Sequence, residues 1–183
     1  MRPALSRHAA LPVTRWKNDA GRRAEIATGK DWVVGFAWLD EDAPFSDYPN
    51  AARTIMLLEG PGFVLTIEGH PTVRVERVHE IARFPGDLPT QCTILGGPCV
   101  VLNAVTSGLA RHHVAVMDVT EAAAVTPERD EIVFLVALTP GVTFVSGGAT
   151  LEPAPRDAIE LSGPAEARGP AGAKIAKIRI APT

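Results

Sequence analysis

The chain has 183 residues, 46% of them hydrophobic, and a formal net charge of −3. That is apolar material for one generous domain or two small, closely packed barrels, and too little length for independent multidomain organisation. No Lys/Arg-rich block or RNA-type aromatic motif accompanies the mild acidity, so nucleic acid is not an expected partner. No segment approaches the ~20 apolar residues of a membrane span, and the first residues hold no apolar run of signal-peptide length; no membrane contact and a cytoplasmic location are expected.

From Met1 to Ala24 the chain is locally basic, with Arg2, Arg7, Arg15, Lys17, Arg22 and Arg23 against Asp19, and reads as a solvated arm. Beyond it, short β-branched runs alternate with turn residues, 16 Gly and 16 Pro punctuating the chain, and helical periodicity is scarce. Strands are expected over 32–39, 53–58, 63–68, 73–78, 90–95, 100–106, 111–119, 132–138, 142–145, 157–161 and 174–180. Antiparallel strands need only tight turns, whereas parallel ones need crossover helices, so the fold class is all-β, a sandwich or barrel. Between the first two runs, Pro44, Ser46, Asp47, Pro49 and Asn50 hold a loop in shape and make it a rigid rim. Phe84-Pro85-Gly86-Asp87 forms a turn in which Gly86 is free to take a positive φ. Gly163 to Gly172 reads as the most mobile stretch.

Cys92 and Cys99 flank Gly96-Gly97. A two-residue hairpin there sets Ile94 opposite Cys99 and leaves Cys92 diagonal, at roughly 7–8 Å, too far for a relaxed disulfide. Both thiols therefore read as reduced and buried.

A metal held by strand imidazoles needs ligands on one face, which requires the spacing H-x-H. The five histidines offer none: His112 and His113 are adjacent and point to opposite faces, and His8, His70 and His79 are isolated. No metal and no other cofactor is expected. A G-x-S-x-G elbow is absent, and neither cysteine sits in a basic or C-x-x-C context. The informative residues are polar ones on apolar faces. Alternation places Asn103 with Cys99, Val101 and Val105, where its amide must be hydrogen-bonded to backbone, water or ligand. Arg53 shares a face with Ile55 and Leu57, and an inward guanidinium offers a fork to a ligand carboxylate or to Glu59 or Asp87 of the chain itself.

In order and spacing, Trp16-Lys17-Asn18-Asp19-Ala20-Gly21, Ala24-Glu25-Ile26, Trp32, Pro44-Phe45-Ser46, Arg53 with Leu57-Leu58-Glu59-Gly60, Phe84-Pro85-Gly86-Asp87 and Leu102-Asn103 resemble the HutD/Ves family. The resemblance implies a cupin-like double-stranded β-helix, with two closely packed barrels in one chain: a bicupin, residues 25–120 forming the first barrel and 1–24 with 121–183 the second. It implies a protein linked to bacterial histidine utilisation that binds a small degradation intermediate of the formyl- or formimino-glutamate kind and restrains the pathway. The ligand-binding residues it carries over are Trp16, Asn18, Arg53 and Asn103: an aromatic wall, two amides and one guanidinium, suited to a small carboxylate metabolite.

The chain departs from the family pattern where W-R-x-S becomes Trp32-Val33-Val34-Gly35, and where D-F-N becomes Val101-Leu102-Asn103, with Ser107 in place of an arginine. These changes fall on one face and predict a more apolar pocket. The function expected is a non-enzymatic, small-molecule-binding regulator. Two other readings stand beside it: a metal-free cupin-like isomerase or lyase using His112 or His113 with Asp87 or Glu59, and a scaffold barrel with a residual pocket. An exposed strand edge would suit pairing into a homodimer.

Overall fold

The computed structural model describes residues 5–16 and 19–182. Among them the one helical element is a 3₁₀ turn, His8–Ala10, and no helix is long and apolar enough to cross a membrane. The chain divides into two units, residues 12–110 and residues 5–11 with 111–182.

Numbered along the chain, β1 (Leu5–Ser6) belongs to the discontinuous unit. The 12–110 unit holds β2 (Val13–Arg15), β3 (Gly21–Gly29), β4 (Trp32–Leu39), β5 (Ala43–Pro44) and β6 (Ala51–Glu59). It continues with β7 (Phe63–Ile67), β8 (Val73–Val75), β9 (Ile81–Pro85), β10 (Thr90–Ile94) and β11 (Cys99–Ser107). They form a six-stranded sheet, β2-β3-β4-β11-β6-β9, and a four-stranded sheet, β5-β10-β7-β8. The inner faces share one core: Leu39, Ile55, Leu57, Phe84 and Val101 from the larger sheet meet Phe63, Leu65, Ile67, Val75 and Cys92 from the smaller. Burying each such aliphatic or aromatic side chain contributes about 1.5–3 kcal/mol. Val34, Phe36, Met56, Leu102 and Ala104, on the opposite face of the larger sheet, are also buried. Burial on both faces is why β4, β6 and β11 read as nearly continuous apolar runs.

The discontinuous unit adds β12 (Arg111–Asp118), β13 (Ala123–Val125), β14 (Ile132–Ala137), β15 (Thr143–Ser146), β16 (Ala149–Leu151), β17 (Ala158–Glu160), β18 (Ala165–Arg168) and β19 (Lys174–Ala181). Its sheets run β1-β17-β14-β19-β12 and β13-β18-β15-β16, around a core that includes Val133, Leu135, Phe144, Ile159 and Ile175. The start of the chain is clasped by Asp157, whose side chain is 4% exposed. Its carboxylate accepts from Arg7 Nη1 at 2.7 Å and from the backbone N–H groups of His8 at 2.9 Å and Ala154 at 3.0 Å.

Four expectations are revised. The basic stretch is not a separate arm: Val13 pairs with Ala24 and Thr14 with Arg23, which carries it into the six-stranded sheet of the 12–110 unit. The stretch 163–172 contains β18, paired on both sides and alternating buried Ala165 and Ala167 with Glu166 and Arg168. Ile94 and Cys99 are not hairpin partners. The Gly96-Gly97 turn instead passes the chain from β10 in one sheet to β11 in the other, and both cysteines are buried and unbridged. Gly86 is absent from the positive-φ glycines; it is needed for space, since a Cβ there would meet Ala51 Cβ and Arg53 Cγ at 3.1 Å.

Candidate functional site

Within the 12–110 unit a cavity of about 570 Å³ lies against the inner face of the six-stranded sheet, under the loop Phe45–Tyr48. Three of the residues carried over from the sequence line it: Trp16, Arg53 and Asn103. The fourth, Asn18, lies outside the described residues.

Arg53 is 8% exposed. Its guanidinium carbon sits 4.7 Å from the ring centre of Phe45, 5.1 Å from that of Phe84 and 5.3 Å from that of Tyr48. Nη1 donates to the Ser46 carbonyl at 3.4 Å, a long bond, and Nε has no hydrogen-bond partner. No carboxylate pairs with this cation among the described residues, so neither Glu59 nor Asp87 takes the role open to it in the sequence. Ring faces attract a cation by about 0.5–2 kcal/mol each, and they fix its direction without neutralising it. Burial accordingly pushes the pKa down to about 10, against smaller opposing pulls from Tyr48 and Cys92.

The backbone around the guanidinium is tied down. Tyr48 N–H donates to the Gly86 carbonyl at 2.8 Å, Gly86 N–H to the Ala51 carbonyl at 2.7 Å, and Phe45 N–H to the Thr90 carbonyl at 2.8 Å. The proline-bounded rim and the end of β9 with Gly86 thus form two sides of one slot. Trp16 stands edge-on to Phe45, with ring centres 5.8 Å apart and an interplanar angle of 85°. Its ring lies so near Gly21 that a Cβ there would come within 3.0 Å of it.

Asn103 follows from the ladder. On β11 it stands opposite Ile55 of β6 and Gly35 of β4, while its neighbour two residues on, Val105, stands opposite Arg53. Asn103 and Arg53 are therefore diagonal neighbours on the cavity face. Its Oδ1 is buried without a partner. Gly35 leaves the wall beside it bare. A Cβ at that position would fall 2.4 Å from the Ala24 carbonyl oxygen, so this backbone does not admit the serine of the family pattern. Val33 also lines the cavity, whereas Val101 belongs to the core. Ser107 sits at the end of β11, with its N–H on the Asp31 carbonyl.

Sequence reasoning missed four charged residues that line the cavity: Arg15, Arg23, Glu25 and Asp47. The signal lost was β3, which hides inside the basic arm. His112, His113, Asp87 and Glu59 do not line the cavity. Cys92 lies in the core, its thiol pushed up to about 12 chiefly by burial. Among the described residues no group of three or more His, Cys, Asp or Glu is placed to hold a metal ion. One fixed, unneutralised cation, a neighbouring amide and aromatic walls can hold and orient a compact anion.

The chain is similar to known proteins over nearly its whole length. The HutD family model matches residues 8–176. An uncharacterised 21.2 kDa protein from the hutC 3′ region of Pseudomonas putida is 30% identical over 100 residues, 51% of this chain and 52% of that protein, so the match spans about half the length of this curated relative. Among solved structures, the conserved protein PA5104 of Pseudomonas aeruginosa PAO1 superposes with a TM-score of 0.87 at 23% identity, covering 100% of both chains. HutD from Pseudomonas fluorescens SBW25, in a formate condition, gives 0.82 at 20% identity over 98% of each chain. A cupin 2 conserved barrel domain protein from Leptotrichia buccalis gives 0.63 at 7% identity over 89% of each, which makes the fold cupin-like.

Proposed function

The chain belongs to the HutD family, and from that membership we propose that the cavity of the 12–110 unit binds a small carboxylate metabolite without turning it over, as a regulatory step in histidine utilisation. One observation carries the reading: Arg53 is a buried cation held by three rings and unpaired with any carboxylate among the described residues. A buried charge is expensive unless something neutralises it, and a ligand carboxylate does so through charge-assisted hydrogen bonds. Asn103 supplies a second polar group on the same face and Trp16 a wall; Asn18 is the remaining member of the proposed set. Val33 and Gly35 leave the wall beside Asn103 apolar and bare, between it and the charged residues Arg23 and Glu25. The hutC-adjacent position named for the P. putida protein supports a ligand of the histidine pathway. In the same reading each two-sheet unit is one cupin-type barrel, and the chain a bicupin.

Titration calorimetry with formylglutamate and formiminoglutamate tests this. Saturable binding is expected, weakened about 10- to 100-fold by Arg53→Met, the loss of one hydrogen-bonded charge. Binding indifferent to that substitution removes the role of Arg53. The isomerase or lyase reading is disfavoured because His112 and His113 do not line the cavity, and the collapsed scaffold because the cavity is open.

A further inference from the structure

The β3–β4 ladder is regular from Gly21↔Leu39 to Glu25↔Gly35, then slips, so that Ala27 pairs with Val34 and Thr28 with Val33. An extra residue, Ile26, is accommodated at that slip. In an unbroken strand Glu25 would share a face with Ala27, which pairs on the side of buried Val34, away from the cavity. The bulge reverses this, and Glu25 and Arg23 turn onto the cavity face with Gly35 and Ala37. Bulges of this kind re-aim side chains and concentrate near binding sites.

Glu25, Gly35, Asn103 and Ile55 then form one row across four strands, with the place of a side chain empty at Gly35. The adjacent row holds Val33, Val105 and Arg53. Arg53 and Glu25 thus stand on β6 and β3, three strand spacings apart, about 14 Å across the sheet. Strand side chains stand roughly perpendicular to the sheet, so their tips stay about that far apart, and two hydrogen bonds of about 2.9 Å leave about 8 Å, the length of a linear chain of about five carbons. Glu25 is also available: its ion partner Arg23 is 3.8 Å away, beyond hydrogen-bond distance, and their side chains are 44% and 52% exposed. Such a pair is weakly held in water.

We propose that Glu25 is a specificity-determining residue, accepting a hydrogen bond from a protonated nitrogen at the far end of a ligand whose carboxylate rests on Arg53, with the Gly35 gap and Asn103 between them. The ligand class is a linear carboxylate with an ammonium or amidinium group at its other end. This rests on the carboxylate reading of Arg53 given above. The competing partner is Arg23, with Arg15 nearby, which would instead favour a second carboxylate. Glu25 lies one row nearer to Arg53 than Arg23 does.

The test is calorimetry with three probes of one length, 5-aminopentanoate, pentanoate and glutarate, on the full chain, on Glu25→Gln and on Arg53→Met. Expected is a preference of about tenfold or more for 5-aminopentanoate over both others, abolished by Glu25→Gln. Arg53→Met should weaken all three. Circular dichroism and an unchanged melting temperature of Glu25→Gln establish that its half-exposed side chain has not altered folding. Arg53-dependent binding that ignores the distal group, prefers glutarate, or keeps its preference in Glu25→Gln overturns the role of Glu25 and leaves the carboxylate reading standing. No binding by any probe, or binding unaffected by Arg53→Met, overturns both.

Discussion

Arg53 on β6 and Asn103 on β11 are diagonal neighbours on one antiparallel ladder, and each carries a buried polar atom without a hydrogen-bond partner: Nε of the first and Oδ1 of the second. An unsatisfied buried group costs about 1–3 kcal/mol, more when it is charged. Side by side on a cavity wall, the two mark a place where the unliganded fold gives up stability. Arg53→Met keeps much of the volume and removes the buried charge. It should leave the ligand-free protein at least as stable as the parent, with a gain of about 1 kcal/mol or more in urea unfolding. A loss of several kcal/mol would show that the cation is structural.

The pH dependence of binding follows from the same group. With its pKa lowered to about 10 by burial, Arg53 is charged at neutral pH and has lost half of its charge by about pH 10. Carboxylate affinity should be flat from about pH 6 to 9, then fall about tenfold per unit above 10. Calorimetry on either side of pH 10 reads this directly. Affinity that stays constant to pH 11 would mean another group holds the anion.

Two glycines of the site are required for space, to different degrees. Gly35→Ser places a Cβ 2.4 Å from the Ala24 carbonyl and should destabilise by about 1–3 kcal/mol while displacing β3. Gly86→Ala meets Ala51 and Arg53 at 3.1 Å, a contact a small shift relieves. It should lower affinity several-fold through Arg53 with little change in urea midpoint. Equal stability losses in the two variants would contradict this ordering.

Asp157 holds the beginning of the chain in the sheet. Asp157→Ala leaves the N–H groups of His8 and Ala154 without their acceptor and Arg7 without its ion pair. The expected cost is about 2–4 kcal/mol, with hydrogen-exchange protection lost first at Leu5, Ser6 and their partners Ala158 and Ile159. Uniform loss of protection across the unit would argue against a local clasp.

His8 gives acid sensitivity to the same corner. Burial, then the charge of Arg156, hold its pKa below 6.5, while Asp157 pulls the other way. A depressed folded-state pKa means that stability is fully present above 6.5 and drains as pH falls through the folded value. His8→Gln should therefore flatten the decline of unfolding free energy below pH 6.5, as followed by denaturant titration at several pH values.

How far the sequence reached depended on which physical signal each element carries. β4 and β11 were legible because both of their faces are buried and the apolar run is unbroken. Arg53 and Asn103 were legible as polar residues on positions that alternation assigns to the interior. β3 was not, because Arg22 and Arg23 dominate its composition, and with it went Glu25, whose inward aim depends on a register slip that no local pattern announces. β18 alternates alanine with charge between Gly and Pro, so its buried face is too small to stand out. Gly86 was read as a turn glycine for its dihedral freedom, when the pressure on it comes from Arg53, distant in sequence.

The pairing of Leu5 with Ile159 sets the order in which the chain can be completed during synthesis. Residues 12–110 leave the ribosome with all their strand partners present and can close early. β1 precedes that unit, yet must wait for β17, and β19, which joins β14 to β12, follows every other described strand. The discontinuous unit therefore closes only once β19 is made, its β1 strand unpaired until β17 arrives. A premature stop before Lys174 should yield a closed 12–110 unit attached to a tail that proteases clear.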